Sequence, residues 1–171
     1  MSAAEQQSRA LAFLRISIGL IFLIFAEYKL TSTKFIWGGM ASYISHFIDQ
    51  GCYPFVRPFL ERLILPHAVL FASIVSISEL FIAVSLITGI LVRWATLGGL
   101  TMVTLFLFSS NYPGSQAPLW EFFGASLEHS ILALCFIALM IGPPTNTGSS
   151  FDRGCKTRHN SHHPSSRYPS I

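Results

Sequence analysis

The stretch SIVSISELFIAVSLITGILV, residues 73–92, carries one charged side chain, Glu79, in an otherwise apolar and small-residue run. Its length is close to the ~17–25 residues that an α-helix needs to cross a bilayer. A helix satisfies its backbone hydrogen bonds within its own segment, as the hydrocarbon interior of a membrane requires. The stretch therefore predicts a membrane-spanning helix with a carboxyl group inside it.

The composition of the whole chain points in the same direction. Of its 171 residues, 51% are hydrophobic and only 11% are charged, with a mean hydropathy of +0.54. Soluble domains carry about 25% charged residues, so this chain has too little polar surface to coat a globule. The net charge of +3 lies largely near the C-terminus and indicates no nucleic-acid surface. The predicted partner is the lipid bilayer.

Four apolar runs organise the chain. They predict spans over residues 11–28, 67–92, 94–110 and 125–142, within one transmembrane domain over residues 1–143. No small-residue cleavage site follows the first run, which indicates a retained span rather than a signal peptide. The expected fold is all-α, an integral membrane four-helix bundle.

Two amphipathic segments lie between the first and second runs. Their apolar side chains fall on one helical face, which predicts short helices over residues 40–50 and 58–65 that lie in the membrane interface. Packing against a soluble partner is the alternative reading. Residues 144–171 are polar and basic, which predicts a disordered cytoplasmic tail. The tail's HNSHHP could chelate a metal, but this alternative is disfavoured and no metal site is predicted.

The basic residues predict the orientation. With a cytoplasmic N-terminus, the cytoplasmic side collects six of the basic residues, and the loop NYPGSQAPLWEFFG on the opposite side has none. The positive-inside rule then places both termini in the cytoplasm. The six residues on the cytoplasmic side are Arg9, Arg93, Arg153, Lys156, Arg158 and Arg167.

Three motifs in order resemble a known family. The family's first helix is similar to LRISIGLIFLIFAEYKL in this chain. Its central signature is similar to Glu79 followed by LITGILVRWATLGGL, and its C-terminal motif is similar to GPPTNTGSSFDRG. The chain thus resembles the DoxX-like family of small membrane proteins, related to the small subunit of thiosulfate:quinone oxidoreductase. The resemblance implies a multi-pass protein of the bacterial inner membrane, a quinone or thiol redox system and a peripheral oxidoreductase subunit as partner. The CxxC of redox-active relatives is missing, which argues against thiol–disulfide exchange.

Glu79 is the first candidate functional residue. A bare carboxylate at membrane depth costs several kcal/mol, so it should face inward. Three ways of accommodating its carboxyl group in the membrane remain possible: protonation, a charge pair, or hydrogen bonds to neighbouring helices. Arg15 in the first span is the basic side chain expected to approach it, as the pair Arg15–Glu79. An interhelical lock is the favoured role over proton transfer or ligand binding.

A second group of polar residues is expected at the outer mouth of the bundle. Acid and imidazole groups that meet there could relay protons or orient a quinone carbonyl, although ordinary interfacial placement explains each one alone. A haem held by His67 and His129 is disfavoured because His129 is offset toward a helix end. The candidate site residues are Glu27, His67, Glu79, Glu128 and His129, with Lys29 beside them.

Two functions follow from these observations, and a third, a small solute carrier, is disfavoured because the sequence shows no internal repeat or broken helices. The first is a membrane subunit of a redox system that holds quinone between its helices. The second is a non-catalytic membrane module that anchors or stabilises a partner protein. No residue can be assigned a catalytic role from the sequence, and an activity of the chain on its own is not predicted.

Overall fold

The computed structural model describes residues 2–142, and every regular element in that range is helical. The all-α prediction is therefore confirmed for this part of the chain. The predicted tail over residues 144–171, with HNSHHP and Cys155, lies outside the described residues. The α-helices are α1 (Ala3–Thr31), α2 (Met40–Gln50), α3 (Arg57–Phe59), α4 (Ala68–Thr88), α5 (Val92–Ser109), α6 (Leu119–Gly124) and α7 (Leu127–Ile141).

Within residues 2–142, three helical stretches are long and apolar enough to cross a membrane. They are Ala3–Thr31, Arg57–Thr88 and Val92–Ser109. The apolar α7 has 15 residues, about 22 Å at 1.5 Å per residue. It is shorter than the predicted span over residues 125–142 because Ser126 has a non-helical backbone (φ −133°, ψ 57°) and α7 begins only after it.

The helix ends differ from the prediction for local reasons. α1 begins at Ala3 because Ser2 and Glu5 form a capping box that satisfies its first amide groups. α4 ends at Thr88 because Gly89 takes the left-handed conformation (φ 80°), which closes the helix. At this end α4 is therefore shorter than the second span, which was predicted to extend to residue 92.

The segment predicted as a separate helix over residues 58–65 is continuous with α4. A π-helical turn (Leu60–Ile64) and a 3₁₀ turn (Leu65–His67) join α3 to α4. A second π-helical turn, Phe35–Gly39, leads directly into α2. Both prolines of the joined segment sit in the first turn of an element, where the missing amide hydrogen does no harm.

Small residues let the long helices pack closely. α1 packs against α4, α4 against α5, and α5 against α7. A Cβ added at Gly19 would lie 3.2 Å from the Ala83 carbonyl oxygen and from Leu86 Cβ, so α1 and α4 are in near contact there. A Cβ added at Gly99 would overlap the ring of Phe136, which is fully buried.

One end of the molecule is covered by residues 32–67 and 110–126, here called the capped end. One backbone hydrogen bond joins its two segments, from Tyr112 to the Gly51 carbonyl (3.0 Å), and another joins Tyr53 to the carbonyl of Phe108 in α5 (3.2 Å). The Tyr53 ring packs against Phe108, Tyr112 and Phe122. The pKa of Tyr53 is raised mainly by burial and to a smaller degree by the neighbouring Tyr112. Its phenol is therefore neutral at physiological pH.

Candidate functional site

A cavity of about 420 Å³ lies just beneath the capped end. Its walls come from the second half of α1, the first half of α4, the second half of α5 and the start of α7, with α2 and the π-helical turn at Leu60–Ile64 across the top. The volume falls within the ~300–1,000 Å³ typical of small-molecule sites. Most of the lining is aromatic or aliphatic, including Phe22, Phe25, Phe35, Ile44, Phe47, Leu60, Phe71, Val103 and Phe106.

Several lining residues are also exposed on the surface of the molecule. Phe25 and Tyr28 of α1 and Leu105 of α5 each line the cavity and each present about half of their surface outward. Part of the cavity wall is therefore formed by side chains that also reach the surface, and the cavity is not fully enclosed. In a membrane, these side chains would face lipid rather than water.

An ion pair between Lys29 and Glu79 forms the polar part of the cavity. Lys29 Nζ lies 2.5 Å from Glu79 Oε1, and the two side chains are only 15% and 5% exposed. A buried charge is tolerated where an opposite charge and hydrogen bonds offset the loss of water. This contact accounts for how the chain accommodates an acid in the middle of an apolar helix.

Aromatic rings surround the Lys29 ammonium. Its Nζ lies 5.3 Å from the centroid of the Phe35 ring and 5.8 Å from that of Phe106, distances at which the ring faces attract a cation. Lys29 also lies in the last turn of α1, where the partial negative charge of the helix end stabilises a cation. Three independent features therefore hold a positive charge at this point of the cavity.

Two buried polar atoms at the cavity have no hydrogen-bond partner within residues 2–142. They are Glu79 Oε2 and His129 Nδ1. Glu128 Oε1 lies 3.1 Å from His129 Nδ1, but the pair does not have hydrogen-bond geometry. The His129 ring packs edge-on against Phe106 with centroids 6.1 Å apart. Buried polar atoms are normally paired, so an unpaired carboxylate oxygen on a residue that lines a cavity makes a ligand donor a candidate partner.

The cavity lining also includes the phenols of Tyr28 and Tyr43 and two serine hydroxyls, and the serines bond to their own helix. Ser109 donates to the Leu105 carbonyl (2.7 Å) and Ser110 to the Phe106 carbonyl (3.1 Å). Their hydroxyl hydrogens are therefore directed at the backbone of α5. The distinctive chemistry of the cavity is concentrated in Lys29, Glu79 and His129.

The structure does not pair Arg15 with Glu79. Arg15 is buried, with 3% of its surface exposed, and its guanidinium lies beside Gly89. Gly89 follows Glu79 by ten residues, about 15 Å along a helix. The predicted pair of Arg15 with Glu79 is therefore wrong, and Glu79 pairs with Lys29 instead. The reason is that α1 and α4 run antiparallel with Gly19 against Leu86. That register carries Arg15 past Glu79 and brings Lys29 to it.

The five candidate site residues separate in the structure. Glu79 and His129 line the cavity, while Glu128 is exposed and reaches the site only through His129. Glu27 is exposed on α1. His67 is also exposed, with Nδ1 3.1 Å from the Leu63 carbonyl oxygen, so it does not face His129 across the bundle. The predicted convergence of all five at one mouth is therefore wrong for Glu27 and His67.

Comparisons with protein-family models, with curated proteins and with solved structures each found no match.

Proposed function

We propose that this protein is an integral membrane four-helix bundle that binds a lipid-soluble quinone in the cavity beneath its capped end. In this proposal α1, α4, α5 and α7 cross the membrane, and a short α7 is accommodated by local thinning of the bilayer. The protein serves as the membrane subunit of a redox system of the DoxX-like kind, with a peripheral oxidoreductase as partner. Both termini are cytoplasmic, and the membrane is the bacterial inner membrane.

The observation that carries the proposal is the ion pair at one point of an apolar cavity whose wall includes side chains exposed on the surface. A quinone has an apolar ring and tail with polar oxygens at the ring, and it dissolves in lipid. Lys29 offers donor hydrogens to a ring oxygen, while the aromatic walls suit the ring and tail. Few convergent polar groups in an apolar pocket are the usual form of a small-molecule site.

A variant in which a large side chain fills the cavity tests whether quinone binds there. In Val75→Trp the indole enters the cavity from α4, whereas in Ile74→Trp the neighbouring residue places the same group on the exposed face. A short-chain quinone should raise the melting temperature of the unmodified protein and of Ile74→Trp in detergent, because a ligand that binds only the folded state stabilises it. Val75→Trp should show little or no shift. Equal shifts in both variants would place any binding outside this cavity.

A non-catalytic anchor for a partner protein is the second candidate. Trp37 and Trp120 are largely exposed at the capped end, together with Leu119, and a partner could cover them. Aromatic residues at a membrane interface have the same appearance. The anchor hypothesis gains if saturating quinone leaves the melting temperature unchanged and purified protein carries no quinone in its extracted lipids.

A further inference from the structure

We infer that the ligand's polar head carries a hydroxyl that donates to Glu79 Oε2, so that the cavity binds the reduced quinol more tightly than the oxidised quinone. The inference rests on the proposed function and adds the redox form to it. Its basis is the unequal use of the two oxygens of one buried carboxylate.

The two Glu79 oxygens have different surroundings. Oε1 accepts a hydrogen bond from Lys29 Nζ, while Oε2 is buried at the cavity without a partner among the described residues. A carboxylate is an acceptor only, so Oε2 requires a donor. An unpaired buried acceptor is unfavourable, and a ligand that supplies its missing hydrogen recovers that loss.

The two redox forms of a quinone differ in their capacity to donate a hydrogen bond. The oxidised ring presents carbonyl oxygens, which only accept, and would place two acceptors opposite each other at Oε2. The reduced ring presents hydroxyl groups, which donate and accept. A site with a buried acceptor should therefore reject the oxidised form by a larger factor than apolar packing alone provides.

Lys29 fits the same hydroxyl. The ammonium has three donor hydrogens, one of which goes to Oε1, and its side chain lines the cavity. It can donate to the hydroxyl oxygen while the hydroxyl hydrogen goes to Oε2. His129 does not discriminate, because a neutral imidazole both donates and accepts. The preference between redox forms is thus assigned to Glu79.

Glu79→Gln should reverse the preference. Lys29 is a donor only, so it attracts the amide oxygen of the new side chain and leaves the amide NH₂ at the former place of Oε2. The cavity then presents a donor, which matches a quinone carbonyl. The shape of the side chain hardly changes, so the variant alters hydrogen bonding without altering packing.

The test measures binding of three probes to the purified full chain in detergent under anaerobic conditions. The probes are a decyl-substituted quinol, the corresponding quinone and an alkylphenol of matched chain length. The quinol should bind about tenfold or more tightly than the quinone, one factor of ten being a modest free-energy difference. Glu79→Gln should bind the quinone more tightly than the quinol. Glu61→Gln, which removes an exposed acid outside the cavity, should keep the original order.

Each outcome supports or overturns the hydroxyl assignment, the proposed quinone binding, or both. Equal binding of quinol and quinone, tighter binding of the quinone, or an unchanged order in Glu79→Gln with an intact elution profile would overturn the hydroxyl assignment and leave quinone binding standing. Binding of the alkylphenol alone, weakened by Glu79→Gln, supports the hydroxyl contact but removes the quinone from the proposed function. Absence of binding by all three probes defeats both.

Discussion

At the scale of single residues, the Lys29–Glu79 pair sets the energetics of the cavity. Each charge is acceptable because the other is present, since several kcal/mol are lost when one charge of a buried pair is left alone. The aromatic rings of Phe35 and Phe106 favour Lys29 further. The pair therefore joins α1 to α4 and also provides the polar groups that a ligand would meet.

A double-mutant cycle tests the structural part of this role. Glu79→Leu and Lys29→Met should each lower the unfolding free energy by roughly 3–5 kcal/mol, the scale on which removal of one partner breaks a buried ion pair. The double variant should be less destabilised than the sum of the two, because neither charge then remains unpaired. Thermal unfolding in detergent, followed by circular dichroism, provides the measurement.

The exposed pair of Arg57 and Glu61 is the matched control for that cycle. Its two side chains are 55% and 42% exposed at a distance of 2.8 Å. Surface pairs contribute about 0–1 kcal/mol, so a cycle on Arg57→Met and Glu61→Leu should give a small coupling energy. A coupling at Lys29 and Glu79 no larger than at this surface pair would count against the interhelical lock.

The sequence could predict that Glu79 faces inward but not which cation meets it. Arg15 and Lys29 both lie on α1, and the choice between them depends on the register of two antiparallel helices. That register is set by the contact of Gly19 with Ala83 and Leu86, which is a property of packed surfaces rather than of either helix alone. His129 could be placed near the mouth from its position at the start of a run, but its neighbour Phe106 could not.

At the scale of elements, close approach between helices depends on two glycines. Gly99 lies under the Phe136 ring, and Gly19 lies against α4. Small residues at such contacts are the usual means by which membrane helices pack, because dispersion contacts replace the hydrophobic effect in lipid. The neighbouring Gly98 has no atom within 4 Å of the place where a Cβ would be.

This contrast gives a prediction for adjacent residues. Gly99→Ala should lower the melting temperature, because the new methyl group overlaps Phe136 and the fully buried ring has no free space to enter. The expected loss is about 1–3 kcal/mol, as for other overpacked sites. Gly98→Ala should be neutral or slightly stabilising, since alanine favours the helix. Equal melting temperatures for the two variants would show that α5 and α7 are less tightly packed than described.

The elements themselves were predictable from the sequence to different degrees. Apolar runs of sufficient length predicted α1, α4 and α5, because period and length are local properties. The continuity of Arg57–Thr88 was not predicted, since Pro58 suits the start of a separate short helix. The π-helical and 3₁₀ turns that absorb these prolines depend on packing against α2 and leave no separate signal in the residues.

At the scale of the whole molecule, the proposed orientation assigns the capped end to the outside of the cell. The bias of basic residues is the basis of this assignment. Single cysteines introduced at exposed positions test it in a chain whose own cysteines have been replaced. Ser115→Cys, at the capped end, should react with a membrane-impermeant reagent in intact cells, whereas Gln6→Cys should react only after lysis. The reverse pattern would invert the topology.

The native thiols are less suitable for that experiment. Cys52 is buried within the capped end, and its reactivity would report on local opening rather than on sidedness. Ser115 and Gln6 are both exposed and lie at opposite ends of the long helices. Labelling at both positions in intact cells would indicate permeable cells and is checked with a cytoplasmic marker protein.

The π-helical turn at Leu60–Ile64 makes the cavity sensitive to the number of residues as well as to their kind. Such a turn holds one residue more than α-helical geometry would use. Deletion of one residue there would restore α-geometry and rotate the preceding segment by about 100° around the helix axis. Phe59 and the aromatic contacts of Tyr53 would then point elsewhere, and the cavity would lose part of its roof. The shape of the pocket thus depends on the number of residues in one short turn, so that an in-frame deletion of Glu61, which does not line the cavity, would still alter its roof.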